Sequence, residues 1–204
     1  MFVKCRLSDR TLPALVCNLC DNSKKMKKLI TITAFLFCIN TSYSQRILTP
    51  MDEGSKVHFV IKNFGIKTGG DFTGLKGTMK FDPNNLSVWA FDVTVNAATI
   101  NTDNSSRDGH LRKEEYFDVK KYPTIHIVST KIQATDKPGI YILTADLTIK
   151  GVTKPVKFNF KVNKRNDGYL FTGEFSMNRR DFNVGGNSVS LGDNLKVLLS
   201  VFAK

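Results

Sequence analysis

Three histidines are the side chains of this sequence best suited to proton transfer or metal binding. His58, His110 and His126 have none of the spacings by which structural or catalytic zinc sites are recognised. His58 and His126 each alternate with apolar neighbours, so we expect them on the polar faces of two strands. The pattern predicts surface histidines and no metal site.

The run Arg107-Asp108-x-His110 is the strongest candidate for catalysis. A nucleophilic mechanism would need a hydroxyl within hydrogen-bond reach of the histidine, and Ser105 and Ser106 are near it only in sequence. We favour a structural interpretation, in which Arg107 and Asp108 pair their charges and hold this segment against one end of the fold. An enzyme built on this segment is kept as an alternative hypothesis.

A second charged run, Arg179-Arg180-Asp181, allows two interpretations. The guanidinium of Arg179 could bind backbone carbonyls at the end of a strand, or it could meet an anionic head group at the mouth of a cavity. We favour the structural role for Arg179 and Asp181. Neither charged run is predicted to be catalytic.

The four cysteines all lie in the first 40 residues, within a segment that reads as a targeting signal. Residues 26–44 combine a basic start, an apolar stretch of residues 29–39 and the small residues Ser42 and Ser44, which is typical of a signal peptide cleaved after Ser44. A short membrane anchor is the less favoured interpretation. We expect Met26 to be the true start and residues 1–25 to be an upstream extension. Residues 45–204 are then a single domain exported to the periplasm or beyond the cell.

That domain has no cysteine, so a hydrophobic core must hold it. The whole chain carries 30 Lys and Arg against 18 Asp and Glu, and residues 1–44 account for seven and two of these, which leaves the domain at +7. The positive charge is spread over strand faces, so we predict no nucleic-acid partner. Transient contact with an anionic membrane surface remains open, as does the choice between monomer and dimer.

Apolar and polar residues alternate with a period of two along almost the whole domain, which predicts an all-β fold. Short turn sequences between the strands favour antiparallel pairing, and residues 101–123 predict a crossover of one or two short helices between strands three and four. A sandwich would leave edges, so we favour an eight-stranded antiparallel barrel. The eight predicted strands span residues 55–64, 71–82, 86–99, 124–133, 140–150, 154–163, 168–178 and 194–203.

Four sequence blocks resemble the YceI-like family, and they occur in that family's order. They are TDNSSRDGHL (102–111), YFDV (116–119) with YPTI (122–125), LTIKGVTKPV (147–156) and NRRDF (178–182). The resemblance spans about residues 52–203 and implies an exported, lipocalin-like barrel whose cavity takes a long isoprenoid chain. It implies no catalysis and no cofactor other than a bound lipid. Many members carry His at the position of Asn63, so the resemblance also implies an altered contact to the ligand's head group here.

The apolar face of the predicted strands is the candidate cavity lining. Its predicted members are Val57, Phe59, Ile61, Asn63, Trp89, Phe91, Val93, Ile127, Tyr141, Leu143, Phe158, Phe160, Phe171, Phe175 and Met177. Our first hypothesis is an exported protein that holds a polyisoprenoid or related lipid. The alternative is a barrel with a filled interior that acts as an interaction or stress-response module in the envelope.

Overall fold

Ten strands and one short α-helix make up the part of the chain that the computed structural model describes, residues 46–204, which belong to one compact unit. The predicted signal peptide and the upstream extension lie outside these residues and stay predictions. The strands are β1 (Arg46–Leu48), β2 (Pro50–Asn63), β3 (Ile66–Phe72), β4 (Lys76–Phe81), β5 (Ala90–Asn96), β6 (Thr124–Ala134), β7 (Ile140–Ile149), β8 (Val152–Arg165), β9 (Gly168–Asn178) and β10 (Leu191–Ala203). Helix α1 is Ser105–Leu111, and 3-10 turns span Leu86–Val88, Ala97–Thr99 and Arg179–Phe182.

All ten strands form one antiparallel sheet in the order β1-β4-β5-β6-β7-β8-β9-β10-β2-β3. The seven strands β4 to β10 lie side by side in chain order. Of their six neighbouring pairs, five are joined without the crossover and one, β5–β6, is joined by it. The sheet curls strongly, yet within residues 46–204 no ladder joins β3 to β4 or to β1. The prediction of an all-β, barrel-like antiparallel fold is confirmed. The predicted count of eight strands and the closed ladder are replaced by ten strands and two edges.

Two of the ten strands, β1 and β3, were not predicted, because of the length of the first and the composition of the second. β3 has the sequence IKTGGDF, in which Gly69 and Gly70 interrupt the alternation that identifies a strand. Both glycines are needed for close approach, because a Cβ atom at Gly69 would lie 2.8 Å from the His58 ring and one at Gly70 would lie 2.7 Å from the Phe59 ring. β1 has only three residues, which is too short to show a period.

The open side of the curled sheet is bridged by a carboxylate. Asp52 on β2 accepts hydrogen bonds from the backbone N–H groups of Gly74 and Leu75, both at 2.9 Å, just before β4 begins. β2 can reach this point because it bends at Gly54, which has a φ of +80°. β2 is thereby held to the start of β4, with which it shares no ladder.

The crossover between β5 and β6 contains one α-helix, α1, in agreement with the prediction of one or two short helices. Its N-cap is Asn104, whose side chain accepts a hydrogen bond from the N–H of Arg107 at 2.9 Å. After the helix, Arg112 donates to the carbonyls of Ala98 and Ile100 at 2.7 and 2.8 Å. These bonds seat the crossover on the end of the sheet at which β5 ends.

The hydrophobic core fills the concave side of the sheet, as the alternation predicts. A smaller apolar group of Leu147, Ile149, Phe182 and Val184 lies under the turn that follows β9. In residues 46–204, no helix combines the length and the apolar character that crossing a bilayer would require.

Candidate functional site

The concave face of the sheet encloses a cavity of about 240 Å³ whose walls are almost entirely apolar atoms. Thirteen of the fifteen residues predicted to line a cavity lie on its wall. They are Val57, Phe59, Ile61, Asn63, Phe91, Val93, Ile127, Leu143, Phe158, Phe160, Phe171, Phe175 and Met177. Alternation along the strands identified them because inward and outward side chains alternate in any curved sheet. Their contact with a ligand stays a prediction.

Trp89 and Tyr141 are the two predicted residues that do not lie on the wall. They pack instead beyond one end of the cavity, with their ring centroids 4.6 Å apart. Phe81 lies 4.5 Å from Trp89 and 4.5 Å from Tyr169, and the Trp89 indole donates to the carbonyl of Asp82 at 2.6 Å. These aromatic rings close this end of the cavity, which we call the closed end, so the two residues are core rather than lining.

Aromatic rings also form the middle of the cavity. Phe158 and Phe175 stack with their centroids 4.8 Å apart, and Phe91 meets Phe160 and Phe171 edge-on at 5.8 and 5.4 Å. Such packing gives a rigid apolar surface, since edge-to-face and stacked pairs add to the energy of burial. The aromatic surface in the middle of the cavity suits an apolar chain.

The end opposite the closed end carries several polar side chains of the wall, and we call it the rim. Asn63 and Thr68 from the β2–β3 hairpin, and Thr102 and Arg107 from the crossover, line the cavity there. Arg107 donates from Nε and Nη2 to Thr102, which leaves its Nη1 group without a hydrogen-bond partner within residues 46–204. The rim can therefore donate to an acceptor atom of a ligand.

The crossover motif is held together through Thr102 rather than through a charge pair. The Thr102 hydroxyl donates to Asp108 at 2.6 Å and accepts from Nε of Arg107 at 2.8 Å. The backbone N–H of Thr102 also donates to Asp108, whose side chain is buried. Among the described residues no ion pair joins Arg107 to Asp108, so the predicted pairing of their charges is wrong, although both residues do fix the crossover. Adjacent residues of a helix point in different directions, which explains why the two charges do not meet.

Arg179 lies buried under the loop of residues 183–190, which follows the turn Arg179–Phe182. Its guanidinium donates to Asp193 at 2.8 Å and to five backbone carbonyls. These carbonyls belong to Val184, Gly185, Gly186, Leu191 and Gly192, at 2.7 to 3.3 Å. Of the two roles considered for this arginine, the carbonyl-binding one is the role that the geometry supports. Asp181 takes no part, since its side chain is exposed and the carboxylate partner is Asp193.

The three histidines each lie beside a carboxylate. His58 meets Asp71 and His126 meets Asp92, both at 2.7 Å, and these pairs lie on the outer face of the sheet. His110 is 57% exposed in its side chain and lies 3.6 Å from Glu115. No hydrogen bond within residues 46–204 links His110 to Ser105 or Ser106, the two hydroxyls considered for the enzyme hypothesis. The same residues hold no group of three His, Cys, Asp or Glu side chains suited to a metal ion.

Several wall residues were missed from the sequence. Thr68 and Phe72 belong to β3, the strand that its two glycines concealed. Leu111 and Phe117 come from the crossover, where no period marks the inward side. The apolar residues of the crossover could have predicted these wall residues. Apolar side chains within an otherwise polar segment indicate that the segment covers an apolar surface, here the end of the sheet.

These features have counterparts in known proteins. The model of the YceI-like domain matches residues 49–203, which is more than half of the chain. The chain belongs to the YceI-like family. The four sequence blocks that suggested this family map to the crossover with α1, the start of β6, the β7–β8 hairpin and the turn after β9, so the YceI-like blocks are concentrated at the rim.

Other known proteins resemble this chain in sequence or in fold. A UPF0312 protein of Pectobacterium atrosepticum is 31% identical over 152 residues, which cover 71% of this YceI-like chain and 78% of the relative. The crystal structure of BcnA from Burkholderia cenocepacia is 26% identical with a TM-score of 0.69, covering 74% of this chain and 96% of BcnA. A polyisoprenoid binding domain from Saccharophagus degradans is only 12% identical, with a TM-score of 0.61 over 79% of this chain and 99% of the domain, and shows a shared fold.

Proposed function

We propose that this chain is an exported binding protein that holds the apolar chain of a long isoprenoid lipid in its cavity. The observation that carries the proposal is the composition of the cavity wall, which exposes almost entirely apolar atoms to the cavity and has Asn63 and Arg107 at the rim. That arrangement matches an amphiphile with a long tail and one small polar head. The name of the Saccharophagus degradans domain, which shares the fold, points to the same class of ligand.

Burial of the tail supplies the affinity in this proposal. Each methylene moved from water into an apolar environment contributes about 0.8 kcal/mol. A tail of several isoprene units can therefore bind through the apolar surface area that it buries, without any specific contact to the wall. The stacked and edge-on rings of Phe158, Phe175 and Phe91 provide that surface.

The rim supplies the polar contact. Arg107, whose Nη1 group has no hydrogen-bond partner among residues 46–204, and Asn63 both line the cavity. Both side chains can donate a hydrogen bond to a carbonyl or hydroxyl oxygen of a head group. A quinone or phenol ring at the rim places its oxygen within this polar region while its tail occupies the aromatic interior. Asn63 takes the position at which many members of the family carry His, so its amide gives this chain its own head-group contact.

Export is part of the proposal and follows from the signal-peptide pattern of residues 26–44. A lipid carrier outside the cytoplasm has a physical reason to exist, because a long isoprenoid is almost insoluble in the water that separates two membranes. Carriage, storage and protection of the lipid are all consistent with a cavity of this kind.

Native mass spectrometry tests the proposal. The protein is expressed with its own N-terminal segment, purified without detergent, and its intact mass is compared before and after extraction with organic solvent. We expect a discrete extra mass that is released into the solvent and identified as an isoprenoid lipid. An unliganded mass that persists after incubation with polyprenyl quinones would contradict the proposal. The same spectra give the N-terminus of the exported protein.

One observation favours a second function, a ligand-free module that interacts with other envelope components. The cavity of about 240 Å³ is smaller than the roughly 300–1,000 Å³ of typical small-molecule sites. The mass measurement separates the two functions, since the module predicts no adduct under any loading condition.

A further inference from the structure

Three large apolar side chains project into solvent at the rim end of the molecule. Phe64 is 80% exposed, Ile66 is 71% exposed and Val189 is fully exposed. Scattered single apolar residues are normal on a protein surface, whereas a group of them in one place needs an explanation. We call these three residues the apolar tip.

The residues of the apolar tip are neighbours in space. Phe64 and Gly65 form the two-residue turn between β2 and β3, and Ile66 begins β3. The N–H of Phe64 donates to the carbonyl of Ser190 at 2.7 Å, which places Val189 beside the turn. One hairpin and one loop thus present a single apolar surface.

The apolar tip adjoins the rim of the cavity. Asn63, directly before the tip, and Leu191, which pairs with Asn63, both line the cavity. Ile66 pairs with Asn63 across the hairpin and so lies on the same side of it as the cavity wall. A surface bound to the apolar tip would therefore lie next to the rim.

The turn between β2 and β3 holds Phe64 in an unfavourable backbone conformation. Phe64 has a φ of +49° and Gly65 a φ of +77°, the two positive values of a type I′ turn. Asn, Asp or Gly normally fill the first position, because a bulky side chain is strained in the left-handed region. A strained Phe that is also 80% exposed is not explained by packing, and backbone outliers of this kind cluster at functional sites.

Two lysines flank the apolar tip. Lys62 and Lys67 are direct partners across the β2–β3 hairpin, and both are exposed. Within residues 46–204 neither has a carboxylate within 4 Å, although eight other Lys, Arg and His side chains of this stretch do have one. Like charges placed opposite one another on a sheet repel, and an anionic surface relieves that repulsion.

The small size of the apolar tip and the charge of the flanking lysines indicate which kind of partner it binds. A stable protein interface involves about 20–30 residues on each side, far more than three side chains. Aromatic and aliphatic side chains flanked by lysines are instead the composition that inserts into the head-group region of an anionic bilayer. We propose that Phe64, Ile66 and Val189, with Lys62 and Lys67, dock the rim of the cavity on an anionic lipid bilayer. The passage of a lipid from the bilayer into the cavity rests on the proposed function, whereas the docking itself does not depend on it.

Sedimentation with lipid vesicles tests the docking. The protein, purified without detergent, is mixed with vesicles of phosphatidylcholine alone or of phosphatidylcholine and phosphatidylglycerol in equal parts. The key variant is Phe64→Asn, because Asn suits the type I′ turn and should leave the free energy of unfolding unchanged or higher. We expect it to bind the anionic vesicles about tenfold or more weakly, since it loses most of the insertion energy of one aromatic side chain.

Matched control variants identify the surface. Ile47→Ser removes an exposed apolar side chain near Phe81, at the closed end, and should leave vesicle binding unchanged. The double substitution Lys62→Gln with Lys67→Gln should remove the preference for phosphatidylglycerol. Lys80→Gln with Lys164→Gln changes the net charge equally on exposed strand positions elsewhere and should largely retain that preference.

The outcomes separate docking from lipid binding. Loss of vesicle binding in Phe64→Asn with unchanged loading by a polyprenyl quinone added from ethanol supports the docking. The docking is overturned if the unaltered protein ignores anionic vesicles, if Ile47→Ser weakens binding as much as Phe64→Asn, or if Phe64→Asn dissociates a dimer in analytical ultracentrifugation. Vesicle binding without any quinone loading would sink the proposed function and leave the docking standing.

Discussion

The hydroxyl of Thr102 donates a 2.6 Å hydrogen bond to the carboxylate of Asp108, a side chain that is only 6% exposed. The same hydroxyl accepts from Arg107, so one threonine joins both charged residues of the crossover. Because Thr102 and Arg107 also line the rim, this network fixes the polar end of the cavity. The crossover is thus a structural cover whose buried carboxylate is satisfied within the crossover itself.

Thr102→Val should therefore destabilise the protein. Valine has nearly the same shape but leaves the buried carboxylate of Asp108 without its hydroxyl donor, which costs about 1–3 kcal/mol. Denaturation by urea measures the free energy of unfolding. Thr130→Val, at an exposed position with one 3.1 Å bond to a carbonyl, is the control and should change it little. Equal effects of the two substitutions would contradict the role given to Thr102.

Arg179 and Arg180 should respond very differently to the same substitution. Arg179→Met removes the donor of five carbonyls and of Asp193, and we expect a loss of about 3 kcal/mol with loosening of residues 183–190. Arg180→Met removes one 3.5 Å contact of a half-exposed side chain and should cost less than about 1 kcal/mol. Urea denaturation and hydrogen exchange of the loop measure both effects. Similar costs for the two arginines would show that the carbonyl cluster is not held by Arg179.

Phe158→Arg should abolish lipid loading. Its side chain lies in the cavity wall, and a guanidinium there cannot be solvated once a lipid tail fills the space. Asn159→Arg places the same group one residue along β8, on the exposed outer face, and should load normally. Val197→Trp fills the cavity without burying a charge and should also block loading, which guards against misfolding of the arginine variant. Lipid content is read by extraction and mass spectrometry.

His110→Ala should leave lipid loading and stability unchanged. The His110 side chain is 57% exposed and is not part of the cavity wall, and its 3.6 Å approach to Glu115 is a surface contact. The substitution also examines the enzyme hypothesis directly. If the protein shows a hydrolytic turnover that His110→Ala removes, the crossover is an active site and the structural account of it is wrong.

Lys204→Met should raise the pKa of Asp167. The hydrogen bond from the Lys204 ammonium at 3.0 Å, aided by a backbone hydrogen bond, holds the pKa of this carboxyl below its ordinary value of 3.8. A lowered pKa in the folded state favours folding above the ordinary pKa, and the effect is lost as the pH falls through the lowered value. NMR titration of the Asp167 carboxyl carbon measures the shift. Lys164→Met, which removes a lysine that forms no ion pair with Asp167, should not move it.

Much of the fold could be predicted from the sequence, because apolar and polar residues alternate with a period of two along a strand that buries one face. Leu143, Phe158 and Phe171 were assigned to the inner face on that basis and lie on the cavity wall. The same logic failed at β3, where Gly69 and Gly70 carry no side chain to alternate. It also failed to place Trp89, because alternation gives the face of a strand but not the depth along it.

The sequence by itself determined the antiparallel β architecture, the inward face of most strands and the family. Only the tertiary structure decided that Arg107 and Asp108 meet at Thr102, that Arg179 pairs with Asp193, and that Phe64, Ile66 and Val189 form one surface. The reason is physical: periodicity reports local geometry, whereas these contacts join segments that are distant in sequence or depend on where a side chain points. Curling of the sheet, which no local pattern encodes, turns one apolar face into a cavity with a closed end and a polar rim.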